Sequence, residues 1–302
     1  MKKVLLASTA LTVLTAGVAA ADVKFSGYAR YGIMYNEDTL GNPVADETDI
    51  TSRYRLNIDV ETVTDGGISL QARVRVQASN GGIATLNGAR FSASASGLRV
   101  DIGNIAGAID NLPNYYGYEI GLTDFLGQYN GLDFNFDDYE STAAGQNGIY
   151  ARYAFGAFAV AASYSDDDFE DEETSIHFAY TGSNYGIALG YADSDDAGVD
   201  DELVILTGNY DFGTVDVTAF VADSDIDETS YGMSANIEVG AATSIQVVYA
   251  DGDSPDNAFG EDTDQAYGIG FKHNLGGGAF LRGGVGVADD QTKADLGVRF
   301  DF

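Results

Sequence analysis

The chain contains no cysteine, so neither disulfides nor thiolate metal centres are available to it. Proline is nearly absent: Pro43, Pro113 and Pro255 are the three in 302 residues. Each falls between segments that read as strands, where a missing amide does no harm. Two histidines, His177 and His273, leave little for acid–base catalysis. No stretch approaches the roughly 20 apolar residues of a membrane-spanning helix. Basic residues are scarce, 15 against 47 acidic, for a formal charge of −32. That balance argues against nucleic acid and anionic lipid as direct partners. Such a charge often accompanies disorder, but 19 Tyr, 16 Phe and 45% hydrophobic residues oppose that here.

What is abundant is glycine, 38 residues, and the aromatics Tyr and Phe, a composition that suits many strands joined by tight turns. Residues 1–21 read as a cleaved signal peptide. Lys2 and Lys3 precede an apolar run from Val4 to about Leu14, and Ala19-Ala20-Ala21 is a small-residue cleavage site. The remaining domain is residues 22–302, and losing both lysines takes its formal charge from −32 to −34. Its clearest signal is the last segment. Ala294, Leu296, Val298, Phe300 and Phe302 alternate with Asp295, Gly297, Arg299 and Asp301. One face is apolar and the other charged, over the roughly nine to eleven residues that span a bilayer as a tilted barrel strand.

The pattern recurs as strand, tight turn, strand, longer polar loop. Short turns such as Asp65-Gly66-Gly67, Ser96-Gly97, Gly156-Ala157 and Gly276-Gly277-Gly278 contrast with acidic loops at 166–173, 193–201, 223–228 and 251–264. This asymmetry belongs to an outer-membrane barrel. Sixteen strands are expected near 22–36, 52–63, 68–78, 88–95, 98–104, 148–155, 158–165, 174–181, 185–192, 202–210, 214–222, 230–239, 243–250, 265–275, 279–288 and 292–302. Fourteen or eighteen stay open, because 88–95 and 202–210 are weak segments. An even count lets the first strand pair antiparallel with the last, and closure satisfies edge amides that lipid cannot.

The outward faces are greasy, as in Phe158, Val160, Ala162 and Tyr164, with aromatics gathered at strand ends. The opposite faces, such as Ala159, Ala161, Ser163 and Ser165, are too small and polar to fill a core. Removing Lys2 and Lys3 leaves 13 basic residues, and eight of these, Lys24, Arg30, Arg53, Arg55, Arg73, Arg75, Arg90 and Arg99, share inward parity on five consecutive strands. They read as a basic pore wall; a solvated face of a soluble sheet is the alternative.

One connection, 105–147, is much longer than its neighbours. It carries Leu112, Tyr115, Tyr116, Ile120, Leu122, Phe125 and Leu126, too many apolar side chains for a solvated tail. Packed inside the barrel, it would offer Asp110, Glu119 and Asp124 to the arginines; an external lid is the other reading. No cofactor is required. Clustered loop carboxylates could hold calcium or magnesium weakly. The Asp223, Asp225, Asp227 spacing is not an EF-hand, since Glu228 and Ser234 stand where Gly and Glu are needed. A serine hydrolase built on His177 has little support.

Four segments carry a resemblance that runs end to end. They are Asp22-Val23-Lys24-Phe25-Ser26-Gly27-Tyr28-Ala29-Arg30, Tyr153-Ala154-Phe155-Gly156-Ala157-Phe158-Ala159-Val160-Ala161-Ala162-Ser163, Asn274-Leu275-Gly276-Gly277-Gly278-Ala279, and the closing strand. The chain resembles the Rhodobacter-type general-diffusion porins of alphaproteobacteria. The resemblance implies a homotrimer in the outer membrane of a Gram-negative bacterium, in contact with lipid and lipopolysaccharide. It implies that the barrel-assembly machinery reads the last strand. It also implies a third loop folded into the pore, facing an arginine cluster; Arg30, Arg53, Arg55, Arg73, Arg75 and Arg90 occupy the strands expected for it. The expected function is passive diffusion of ions and small hydrophilic solutes, weakly cation-selective. The runners-up are an adhesin or phage-receptor barrel acting through its loops, and a soluble secreted β protein.

Overall fold

The computed structural model describes residues 21–37, 47–132, 134, 139–145, 147–166, 172–196, 199–225, 229–252, 265–288 and 290–302. They form a closed antiparallel barrel. Its strands are β1 (Asp22–Asn36), β2 (Thr48–Val63), β3 (Ser69–Ser79), β4 in two pieces (Thr85–Leu86 and Arg90–Ala95), β5 (Leu98–Gly103), β6 (Gly148–Phe155), β7 (Phe158–Asp166) and β8 (Glu172–Thr181). The circuit continues with β9 (Tyr185–Asp196), β10 (Val199–Asp211), β11 (Val215–Ser224), β12 (Thr229–Gly240), β13 (Thr243–Asp251), β14 (Gln265–Gly276), β15 (Ala279–Ala288) and β16 (Gln291–Asp301). Every strand pairs with its sequence neighbour, and β1 pairs with β16 from Tyr28↔Asp301 to Asn36↔Lys293, so no edge remains.

The expected alternation holds around the wall. Phe25, Tyr31 and Ile33 on β1, Ile187 and Leu189 on β9, and Leu296 and Phe300 on β16 are exposed on the outside. Ala159, Ala161, Ser163, Ser175 and Ala188 point inward and are buried. An apolar exterior over a small, polar interior is the inverse of a soluble protein and the arrangement of a lipid-embedded barrel. The turn ends are tight: Ser96 and Gly97 have φ of 49° and 86°, the pair of positive values a type I′ hairpin requires.

Two departures from the expected boundaries have local causes. β4 is not continuous over 88–95. At 87–89 the backbone turns to the returning end of the long loop: the Gly88 amide donates to the Ala143 carbonyl at 2.8 Å, and Asn87 Nδ2 to the Glu140 carbonyl at 3.1 Å. A Cβ on Gly88 would sit 1.8 Å from the Ala144 carbonyl oxygen. The acidic stretch 193–201, expected as a loop, is largely strand. β9 and β10 run on, pairing Asp193 with Glu202 and Asp195 with Asp200. Like charges opposite each other are unfavourable, but Asp193, Asp200 and Glu202 alternate out of the ribbon while Ser194 and Asp201 turn in. Backbone pairing thus continues past the apolar band. Most of the other acidic loop residues, 167–171, 226–228 and 253–264, lie outside the described residues.

Candidate functional site

The segment after β5 packs inside the barrel rather than over its mouth. Ile105, Ala108, Ile109, Ile120, Leu122 and Leu126 are fully buried, and Leu112 and Tyr115 nearly so. Inward glycines make the room. A Cβ on Gly232 would lie 1.9 Å from the Gln128 carbonyl oxygen, and one on Gly297 would lie 2.5 Å from Leu122 Cδ2. Small inward residues therefore leave space for a lumen and also seat the loop against the wall.

Three polar anchors fasten it. His177 Nδ1 on β8 lies 2.6 Å from the Ala108 carbonyl, while the Ala108 amide donates to Ser163 Oγ at 2.7 Å. Gln128 opens a short 3-10 turn, Gln128–Gly131, and is fully buried. Its Nε2 donates to the Asn114 and Tyr115 carbonyls at 2.6 and 2.9 Å, and its Oε1 accepts from Thr218 and Ser234 at 2.7 and 2.9 Å. Asp295 of β16 accepts from the Leu122 and Thr123 amides and from Thr123 Oγ1, each at 2.7 Å.

The tip of the loop carries the charge. Asp124 adopts φ 58°, a left-handed conformation that Asp tolerates better than most residues. Its carboxylate meets three cations from three adjacent strands: Arg282 of β15 at 2.5 Å, Arg30 of β1 at 3.5 Å and Arg299 of β16 at 3.8 Å. Arg30, buried, also donates to the Leu122 carbonyl at 3.1 Å. Glu119 sits one layer back. It accepts from Tyr129 Oη at 2.7 Å, and Arg282 donates to its backbone carbonyl at 3.4 Å. Burial, then the neighbouring Asp124 charge, pushes the Glu119 carboxyl above the usual range. Asp110 does not face an arginine among the described residues. It is held by the Tyr116 hydroxyl, and burial pushes its carboxyl up as well. Tyr115, Tyr116 and Tyr129 pack together, with Tyr115 and Tyr129 stacked at 5.8 Å.

The other arginines anticipated from sequence, with Arg99, line the β2–β5 wall. Arg73 is neutralised by Asp59 through a two-point contact at 2.6 and 3.1 Å, and Arg99 by Asp101 at 2.8 Å. Arg90 lies opposite Arg73 in the β3–β4 register. Arg53 donates to Ser79 Oγ and Tyr28 Oη, Arg55 to Gln77, and Arg75 to Asn57 and Ser141. Of the nine residues anticipated from sequence, Arg30 and Asp124 form an ion pair, Glu119 lies beside them, and Asp110 is elsewhere. Arg282, Arg299, Asp295 and Gln128 were not anticipated. Parity alone puts Arg282 and Arg299 inward, but only barrel closure makes β15 and β16 neighbours of β1. Gln128 has no sequence signature.

Comparison with known proteins gives concordant results. A family model described as Gram-negative porin matches residues 7–293. A porin of Rhodobacter capsulatus is 32% identical over 322 residues, covering 93% of this chain and 100% of that protein. A porin of Fuscovulum blasticum is 32% identical over 303 residues, with the same shares covered. A solved structure of a Rhodopseudomonas blastica porin triple mutant superposes with a TM-score of 0.83 at 27% identity, covering 93% of this chain and 100% of that one.

Proposed function

The chain belongs to the Gram-negative porin family and is a multi-pass barrel of the outer membrane, and from that premise we propose that it is a weakly cation-selective diffusion channel for ions and small hydrophilic solutes. The carrying observation is the loop tip at Asp124, fastened to arginines of three strands inside the lumen. A loop tied across the interior narrows the path and sets its field. Two fields then compete. Arg30, Arg53, Arg55, Arg73, Arg75 and Arg90 favour anions along one wall, while Asp110, Glu119 and Asp124 on the loop, and the acidic entrance, favour cations. The excess of 47 acidic over 15 basic residues supports a cation preference at the mouth.

Conduction on this account needs no cofactor, because width and field do the work. The acidic loops are left as weak calcium or magnesium sites. The chain acts as a homotrimer, with Gly27, Ala29, Ala93, Ala95 and Ala294 small enough on the outer face to let barrels approach. It contacts lipid and lipopolysaccharide, is inserted by the barrel-assembly machinery, and loses residues 1–21 on export. Proteoliposome swelling tests the channel reading. Swelling rates that fall steadily with sugar size are expected, and impermeability to the smallest sugars would refute it.

A further inference from the structure

Five inward arginines have a carboxylate partner or share one: Arg73 with Asp59, Arg99 with Asp101, Arg30, Arg282 and Arg299 with Asp124, and Arg299 also with Asp301. Arg53, Arg55 and Arg75 differ. Among the described residues no carboxylate lies within ion-pair distance of any of the three. They are half-buried on the inward faces of β2 and β3, with Arg75 opposite Asn57 and Arg55 opposite Gln77 in the register. Each lies within coulombic reach of another member of the group.

Neutral acceptors hold them. Every Nε is tied to an uncharged oxygen: Arg53 to Ser79 Oγ at 3.3 Å, Arg55 to Gln77 Oε1 at 2.7 Å and Arg75 to Asn57 Oδ1 at 3.0 Å. Aromatic faces support two of the planes, Tyr28 under Arg55 at 5.3 Å and Tyr139 under Arg75 at 5.2 Å. The other side of the group is closed by Arg299, over the Tyr28 ring at 4.2 Å. The orientation is thus fixed through Nε and the ring faces, and terminal nitrogens are left over. Among the described residues both Nη atoms of Arg55, and Nη2 of Arg53 and of Arg75, donate to nothing. Three cations held together, with no counter-charge among the described residues and with donors to spare, form a pre-organised anion cradle. A guanidinium fork matches an oxyanion edge, and three forks suit a compact dianion better than a monoanion.

The geometry points to a saturable binding site for phosphate groups, free or on a small metabolite, formed in the lumen by Arg53, Arg55 and Arg75. This rests on the channel reading above. Occupancy slows the anion on its way through and replaces a positive wall by a neutral one.

The full-chain protein in planar bilayers, bathed in potassium chloride at fixed ionic strength and pH 7.4, tests it. Inorganic phosphate, glycerol phosphate and acetate are titrated in turn. Phosphate is expected to reduce chloride-borne conductance along a saturating curve and to shift the reversal potential toward cations, with acetate needing about tenfold more. Block by both phosphate and its ester assigns the site to the phosphate group, and block by phosphate alone assigns it to the free ion; both support the proposal. R55Q and R75Q should each raise the half-blocking concentration about tenfold, the cost of a lost charged hydrogen bond. K24Q, which removes an exposed cation paired with Glu61 at the far end of β1, should not. Heat-modifiable migration verifies each folded barrel, and if one variant does not fold the other decides. Conductance that follows bulk mobility without saturation overturns the proposal, as does block unchanged in R55Q and R75Q. A parent protein that conducts no potassium chloride overturns the channel reading itself.

Discussion

Replacing Asp295 by alanine should release the loop tip while leaving the barrel closed. Asp295 is buried in β16, and its two oxygens accept three hydrogen bonds of 2.7 Å from Leu122 and Thr123. A hydrogen bond to a charged group contributes about 1.5–3 kcal/mol, and three that share one carboxylate are not additive. About 3 kcal/mol is a fair figure for the set. The Leu122 amide is fully buried, so its loss of a partner adds to the effect. With 1.4 kcal/mol per factor of ten, the open population of the tip rises about 100-fold. The Gln128 and Ala108 anchors lie on β11, β12, β7 and β8 and are untouched, so opening should be confined to the tip around 120–126. Hydrogen exchange in detergent micelles reads this directly: amides 122 and 123 should lose protection while those of the β7 and β8 strands keep theirs. Open-channel current noise should rise in parallel. Unchanged exchange at Leu122 and Thr123 would refute the anchor, and loss of protection around the whole barrel would show that Asp295 holds the wall instead.

Deleting Phe300–Phe302 should abolish recovery of folded barrel, because it strips the β1–β16 seam of the paired Gly27 and Phe302 backbone bonds at 2.8 and 3.0 Å and of the Tyr54–Phe302 stack; normal yields of heat-modifiable protein would contradict this. Leu189→Arg, on the outer face of β9, should cost about 2–4 kcal/mol if it lies at the bilayer midplane, read as a lower midpoint of urea unfolding in micelles. Glu119 gives a pH dependence. A carboxyl whose pKa is raised on docking holds its proton more tightly when docked, so docking weakens as pH rises from the ordinary carboxylate value through the raised one. The protection factor of the Ile120 amide, which donates to the Leu126 carbonyl at 2.9 Å, should therefore be lower at pH 8 than at pH 5 once the base catalysis of exchange itself is divided out, and Glu119→Gln should flatten that difference; the reverse trend would mean that attraction to Arg282 and Arg30 dominates at this residue.

Period-two alternation made most of the barrel legible in the sequence, because lipid outside and lumen inside impose opposite chemistry on successive residues. The limits of that signal are physical. It weakens where a strand is bent toward another partner, as at 87–89, and where strands leave the membrane, as in the acidic ribbon 193–201. The loop's inward packing was readable from its apolar content, but its docking was not. Asp110 and Asp124 look alike as loop carboxylates; one meets a tyrosine and the other three arginines because of where the backbone turns. Arg282 escapes the sequence signal because its strand lies far along the chain from the basic strands, and only closure brings it beside Arg30. Gln128 works through backbone carbonyls, which carry no sequence mark.

The central claim, a diffusion channel whose selectivity is a contest between an acidic mouth and an arginine-lined wall, is tested most directly by the reversal potential of single channels across a salt gradient, measured at low and at high mean salt. Exposed charges are screened over about 8–10 Å at physiological salt, and less so in the narrow lumen. The account predicts cation preference at low salt that declines as salt rises, and a stronger preference with higher conductance when Arg53, Arg55, Arg73 and Arg75 are made neutral together. Anion preference at low salt, or indifference to that quadruple change, would contradict it.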